Sequence, residues 1–366
     1  MRILLCITGL GMGGAEKVVT SLADVLAANG HEVCIAFMTG AAVVLPTNAN
    51  VQVVSLGMVS KMDAMSAFFK LIRLIRDFRP DVVHSHMIHA NIFARLVRLV
   101  TPITRLISTA HSSNEGGKLR MLAYRLTDAL ADISTNVSEE AVDAFVKAKA
   151  VRPGRMVAVH NGIATDAFAF TAAARVRIRQ ELFVHDNCKL ILAVGRLHEA
   201  KDYPNLFHAL THLPVNGLTY QMCIVGDGPL MGELEALAVQ LAIADRVRIL
   251  GVRRDVADLM SAADVFVLPS AWEGFGLVVA EAMACERVVV ATDCGGVREV
   301  VAEAGYLVKP KDSNGLAQAL ETALQLSAIE STALGRAARQ RVIERYSLGS
   351  AVEKWLQIYE GKVGAG

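Results

Sequence analysis

The chain has 366 residues, 53% hydrophobic but only 5% aromatic, and a net charge of +1. That length fits two domains of ordinary size, and an Ala/Val/Leu-rich composition so poor in aromatics favours α/β architecture over a β-sandwich. No run reaches about 18 uninterrupted apolar residues, which excludes a spanning helix, and the scarcity of aromatics, with the basic residues concentrated in one half, speaks against nucleic acid as a partner.

In chain order, Arg2 to Thr8 reads as a buried first strand, too short and without the cleavage pattern of a signal peptide. It runs into Gly9-x-Gly11-x-x-Gly14. Formally this is the dinucleotide fingerprint, which also needs an acid at the end of the second strand to bind ribose. The second strand, 32–38, ends in Phe37-Met38-Thr39, and Glu32 stands at its other end. A loop offering backbone N–H groups to a substrate fits better, with Gly13 and Gly14 opening the first helix. A third strand, 51–56, precedes Ala67–Arg79, an amphipathic helix. Phe68, Leu71, Ile72, Ile75 and Phe78 make one stripe, with Lys70, Arg73, Arg76 and Arg79 off it. Arg95, Arg98, Arg105, Lys118, Arg120 and Arg125 extend the basic character. Residues 61–125 hold 11 Lys/Arg against 4 Asp/Glu, a net +7. An anionic membrane surface is the expected partner of this stretch.

Further strands are expected at 81–85, 104–109, 132–137 and 156–160. His84-x-His86-x-x-His89 looks like a metal cluster. Side chains alternate faces along a strand, and no carboxylate or cysteine completes the set, so polar strand-end residues are the preferred reading. His111, in Thr109-Ala-His-Ser-Ser-Asn114, follows another strand end. Its position alone leaves a structural and an active-site role equally open.

The division falls near His160-Asn-Gly-Ile163, and a second series of strands follows at 189–194, 219–225, 246–250, 264–268, 287–291 and 306–308. Strands alternating with helices make parallel sheets, and two such series predict two doubly wound domains. Gly195-Arg196 and Lys201 follow the first strand of this half, where two cations can converge on one diphosphate. Val225-Gly-Asp-Gly-Pro229 and Gly251-Val-Arg-Arg254 end the next two strands, and Thr292-Asp-Cys-Gly-Gly-Val-Arg-Glu299 ends a later one. The repetition of Gly-bearing loops at one sheet edge is stronger than any single loop. The densest signal is Glu273-Gly-Phe-Gly-Leu-Val-Val-Ala-Glu281, a Gly-rich turn between a strand and a helix. Such a turn aims backbone N–H groups and a helix N-terminus at phosphate. The flanking carboxylates would repel phosphate and instead suit hydroxyls on either side of it. The tail, Ser350 to Gly361, is amphipathic through Val352, Trp355, Leu356 and Tyr359. The six cysteines lack paired spacing, so neither zinc nor a disulfide framework is implied, and a reducing cytoplasm is expected.

Taken together, the segments Gly9–Glu16, His160–Gly162, Gly195–Lys201, Val225–Pro229, Glu273–Glu281 and Gly295–Glu299 resemble the retaining glycosyltransferases of the GT-B fold, family 4. The resemblance implies two Rossmann-like domains facing a central cleft: an acceptor-side domain of 1–165 plus 346–366, with a returning last helix, and a nucleotide-sugar domain of 166–345. It implies that Arg196 and Lys201 hold the donor diphosphate and that Glu273 contacts the transferred sugar. Glu281 would bind the ribose. Gly274, Phe275, Gly276 and Leu277 would meet phosphate and sugar through their backbone, and Gly195 and Gly226 would lie alongside. Gly251, Val252 and Arg253 would face the base, Gly13 and Gly14 the donor phosphates and acceptor, and His111 the reacting sugar. No cofactor or catalytic metal is expected. The implied activity is transfer of a hexosyl unit from a UDP-sugar, with GDP-sugars as an alternative, to a lipid-linked or growing glycan at the inner face of a membrane. A nucleotide-sugar epimerase and a non-catalytic membrane-associated scaffold of the same fold are the alternatives. A dinucleotide oxidoreductase is disfavoured by the missing ribose acid.

Overall fold

A computed structural model describes residues 1–113, 115–213 and 219–362, so Asn114 of the His111 loop and residues 363–366 of the tail lie outside the described residues. The chain forms two compact units, Met1–Gly162 with Leu348–Gly366, and Ile163–Ser347.

The first unit is built on seven strands: β1 (Arg2–Gly9), β2 (Glu32–Thr39), β3 (Gln52–Met58), β4 (Val82–His86), β5 (Leu106–Ala110), β6 (Ile133–Asn136) and β7 (Met156–Ala158). All pair in parallel, in the order β3-β2-β1-β4-β5-β6-β7. Helices cover both faces, so the central strands read as near-continuous apolar runs, and Ile3, Leu4, Leu5 and Ile7 are fully buried. The helix Gly14–Ala28 follows β1 and stops at Asn29-Gly30, where Gly30 takes φ +83°. The helix Ala64–Phe78 buries Leu71, Ile72, Ile75 and Phe78, so the expected stripe is core, although Phe68 is only half-buried. Of the six basic residues read as extending the charged surface, Arg95 is interior and Arg98 and Arg105 are half-buried and engaged by the protein. Arg95 is fully buried and donates to the hydroxyls of Ser108, Ser134 and Thr127 beside Asp128. Arg98 pairs with Asp132, and Arg105 donates to the Ile358 carbonyl. Buried guanidinium groups persist only when they are paired and hydrogen-bonded, which withdraws Arg95 from the surface, while Arg98 and Arg105 are half-buried with their guanidinium groups engaged by the protein.

The last helix, Leu348–Tyr359, packs on the first sheet through Val352, Trp355, Ile358 and Tyr359. Burial of four large side chains contributes roughly 6–10 kcal/mol before entropy is charged, an upper figure that explains why the chain returns.

The second unit carries β8 (Cys188–Val194), β9 (Thr219–Val225), β10 (Val247–Ile249), β11 (Val265–Leu268), β12 (Val288–Thr292) and β13 (Tyr306–Val308). These too are parallel, in the order β10-β9-β8-β11-β12-β13. This is the doubly wound arrangement, in which the connections reverse direction between the first and fourth strands of the set, here β8 and β11. The helix Ala328–Tyr346 starts at a capping box in which Ser327 and Glu330 satisfy each other's backbone N–H.

Candidate functional site

The carboxyl ends of β8 and β11 flank the reversal point of the second sheet, where open α/β sheets bind ligands. Loops from both strands meet there. Lys201, in a short turn after β8, donates to Glu273 Oε1 from the loop after β11, and both side chains are largely buried, at 18% and 15% exposure. Ser270 Oγ donates to the same carboxylate oxygen at 2.7 Å. Gly195 lets the Lys201 stem pass, because a Cβ there would stand 2.9 Å from Lys201 Cε, and Tyr203 Oη donates to the Gly195 carbonyl at 3.2 Å. Burial drives the Tyr203 phenol well above its ordinary pKa, and the Glu273 charge adds to the shift, so Tyr203 stays a neutral donor. Arg196 is exposed, and its guanidinium has no protein partner among the described residues.

Backbone bonds tie the surrounding loops together. Gly195 N donates to Val225 O, Gly226 N to Gly251 O, Ala271 N to Ala200 O and Gly296 N to Gly274 O, all within 2.8–3.0 Å. Two glycines are dictated by these approaches. Gly226 takes φ +147° with its ideal Cβ position 2.0 Å from the Gly195 carbonyl oxygen, and Gly295 takes φ +56° with its own 2.2 Å from the Glu273 oxygen. No side chain fits at either. Gly226 therefore has a packing role whatever it does toward a ligand.

Gly276, at φ +82°, caps the helix Leu277–Ala284. Phe275 is buried edge-on against Tyr346 at 5.4 Å, anchoring the Gly-Phe-Gly turn from beneath. Glu281 lies on that helix at 5% exposure. Beside β10, Gly251 has φ +66° and Val252 is exposed. The Arg253 guanidinium is held by Asp255, at 2.8 and 2.6 Å, and by Glu181, at 2.7 Å. These hydrogen bonds raise the arginine's pKa further and depress that of Asp255. The Arg253 side chain is thus engaged by the protein. Arg196, Lys201, Gly226, Gly251–Arg253 and Glu273–Leu277 all follow strand ends on this one edge.

In the first unit the reversal falls between β1 and β4. Gly13 is extended before the helix that Gly14 begins, and a Cβ on it would lie 2.3 Å from Glu16 Oε2. His111 follows β5; its backbone N donates to Glu115 Oε1 at 2.8 Å, and Tyr124 Oη donates to Glu115 Oε2 at 2.5 Å. Burial raises the Glu115 carboxyl, against the pull of the Tyr124 bond, and lowers His111 to about 4.

The histidine triplet behaves differently from the expectation. Residues two apart on a strand share a face, so His84 and His86 do converge, with ring centroids 4.0 Å apart. His86 Nδ1 lies 3.1 Å from His111 Nε2, while His84 is fixed by Tyr359 Oη at 2.7 Å and Thr109 Oγ1 at 2.6 Å and stacks near Trp355. His89 is exposed on the following helix and stands apart. Among the described residues no group of His, Cys, Asp and Glu could hold a metal ion. Sequence reasoning missed Ser270 and Tyr203, and it named His86 and Tyr359 without their contacts to His111 and His84. Only Ser270, ending a strand three residues before Glu273, and His86, two residues from His84, carried a usable signal.

Two doubly wound parallel sheets with Gly-bearing loops at a carboxyl edge are an architecture that binds ligands at that edge, and comparison with known proteins gives the class. The model described as Glycosyl transferases group 1 matches residues 175–341, and Glycosyltransferase Family 4 matches 12–167. Alpha-maltose-1-phosphate synthase of Mycolicibacterium smegmatis is 30% identical over 309 residues, covering 76% of this chain and 78% of that protein. An Escherichia coli UDP-Gal:alpha-D-GlcNAc-diphosphoundecaprenol alpha-1,3-galactosyltransferase is 23% identical over 82% of this chain and 80% of its own. The crystal structure of Anabaena Alr3699/HepE in complex with UDP-glucose superposes with a TM-score of 0.86 at 22% identity, covering 99% of this chain and 100% of that one. The chain belongs to the group 1 glycosyltransferases, family 4, and has the GT-B fold.

Proposed function

We propose that this glycosyltransferase moves a hexosyl unit from a UDP-sugar to a lipid-linked or growing glycan, with retention at the anomeric carbon and without a metal ion. The observation that carries the reading is the Lys201–Glu273–Ser270 junction at the reversal point of the second sheet, beside the Gly274–Gly276 turn and the N-terminus of the helix Leu277–Ala284. Arg196 and Lys201 stabilise negative charge on the departing diphosphate, and the helix N-terminus adds its dipole. Glu273 takes hydroxyls of the transferred sugar and Glu281 those of the ribose. The acceptor hydroxyl bonds to the anomeric carbon on the face the phosphate leaves. The breaking bond's electron pair goes to the phosphate oxygen, which takes the acceptor proton. Retention follows without a protein nucleophile. The UDP-glucose complex of one structural neighbour and the UDP-Gal donor named for one relative favour a uridine donor, and that relative's diphosphoundecaprenol acceptor favours a lipid-linked one.

Membrane association is part of the proposal. No helix among the described residues is long and apolar enough to cross a bilayer. Exposed Met65 and Phe69 share the helix Ala64–Phe78 with Arg73 and Arg76, and exposed Leu119, Leu122 and Leu126 share the helix Gly117–Thr127 with Lys118 and Arg125. Apolar side chains among cations are the composition of an interfacial surface.

The test is a screen of UDP- and GDP-hexoses with a polyprenyl-diphosphate-linked sugar, with and without a chelator, the product's anomeric configuration being read by NMR. An inverted product, or activity abolished by the chelator, overturns the mechanism. Failure to sediment with anionic vesicles at low salt overturns the membrane assignment.

A further inference from the structure

His86 is 1% exposed, and its Nε2 is buried with no hydrogen-bond partner. Its Nδ1 faces His111 Nε2 at 3.1 Å, and one proton lies between them. There are two assignments. If His111 Nε2–H donates, His86 must carry its own proton on Nε2, which buries an N–H with nothing to accept it. If His86 Nδ1–H donates, the orphan is a lone pair, and His111 carries its proton on Nδ1. Orphaned buried N–H groups are rarer than under-satisfied acceptors, so the second arrangement is preferred. Burial disfavours the imidazolium form of both rings, which keeps the contact neutral. The His86 ring has little freedom to turn, because it packs on His84, and Tyr359 and Thr109 hold that ring at both nitrogens. His111 Nδ1 has no protein partner among the described residues.

We propose that His86 is a positioning residue that locks His111 as the neutral Nδ1–H tautomer, so that His111 offers the reacting sugar a hydrogen-bond donor and not a base. This rests on the reading of His111 as a residue that meets the sugar. The consequence is electrostatic. The anomeric centre becomes positive as the diphosphate departs, and a neutral donor can bind a sugar oxygen there without the repulsion an imidazolium would add.

Nitrogen-15 NMR of the histidine-labelled protein near neutral pH tests this directly, with His111 assigned by the signals lost in His111→Gln. The expected pattern is a protonated-type shift on Nδ1 and a pyridine-type shift on Nε2. The reverse pattern, or averaged shifts from rapid tautomer exchange, overturns the proposal. Kinetics supply a second arm. His86→Leu removes the donor and lowers kcat about tenfold, the scale of one neutral hydrogen bond, with KM for the nucleotide sugar little changed. His86→Asn keeps an N–H near the position of Nδ1 and recovers most of that loss. A rate in His86→Leu equal to wild type overturns the positioning role. If His111→Gln transfers sugar normally while the wild-type spectrum shows Nδ1–H, the tautomer stands and the reading of His111 falls.

Discussion

Replacing Lys201 by Met keeps most of the stem packed beside Gly195 and deletes the charge that answers Glu273. At an effective dielectric of about 20, two unit charges about 4 Å apart attract by about 4 kcal/mol before desolvation. With the two side chains 18% and 15% exposed, the pair lies between the surface and buried extremes, and a net coupling of about 1–2 kcal/mol remains. Lys201→Met leaves Glu273 with the Ser270 hydroxyl as donor and destabilises the second unit by that amount, a fall of roughly 2–8 °C in its melting temperature. Glu273→Gln tests the other side of the pair, and the double variant recovers much of either loss. The assay is thermal melting of the four proteins in a double-mutant cycle, run beside initial rates of sugar transfer. Loss of a cation from the departing diphosphate lowers kcat about 10²–10³-fold, far more than the stability change explains. A coupling energy below about 0.3 kcal/mol refutes the energetic argument, and an unchanged kcat in Lys201→Met refutes the role in leaving-group stabilisation.

Gly295→Ala places a methyl 2.2 Å from the Glu273 carbonyl oxygen at φ +56°, and should cost more than about 3 kcal/mol by denaturant titration; a loss under about 1 kcal/mol contradicts the packing described. Asp264 accepts from Arg175 at 2.6 Å, Arg179 at 3.1 Å and Leu190 N at 2.8 Å; burial alone would raise its carboxyl, but the arginines and the backbone bond hold it below the usual range. Its contribution is therefore complete above the ordinary aspartate range, about 3.9, and is lost as pH falls through the lower folded-state value. The difference in urea midpoint between wild type and Arg175→Met should shrink on acidification, and a difference that grows refutes the assignment. Glu281→Ala should weaken UDP binding at least tenfold in calorimetry while the fold is kept; unchanged affinity removes Glu281 from the ribose.

The thirteen strands of the described residues were legible, most plainly where cover on both faces makes the run near-continuously apolar, as in Ile3–Ile7 or Val288–Ala291, and less so in β4 and β6, which bury His, Ser, Thr and Asn. Strand ends moved by one or two residues, as at β7, expected at 156–160 and found at Met156–Ala158, since end residues feel loop geometry that local pattern does not encode. The Gly-rich loops were visible as motifs, but not the reason for Gly226 and Gly295, which lies in backbone from distant loops. Charge counting put Arg95 on a surface; composition cannot tell a paired interior guanidinium from a solvated one. The histidine contacts were hidden for another reason. Tyr359 reaches His84 across 275 positions of chain, and no periodicity reports such a meeting.

The joining of the second unit's loops through Gly195–Val225, Leu197–Asp227 and Gly274–Gly296 has a consequence for how this protein can change by mutation. A surface built mainly from main chain keeps its shape while the side chains around it drift. New preferences can arise at exposed positions such as Val252 or Trp272 without rebuilding the floor. The same construction makes the glycines brittle. In an exhaustive substitution library scored for folding alone, Gly226 and Gly295 would tolerate fewer replacements than Arg196, whose guanidinium has no protein partner among the described residues to lose.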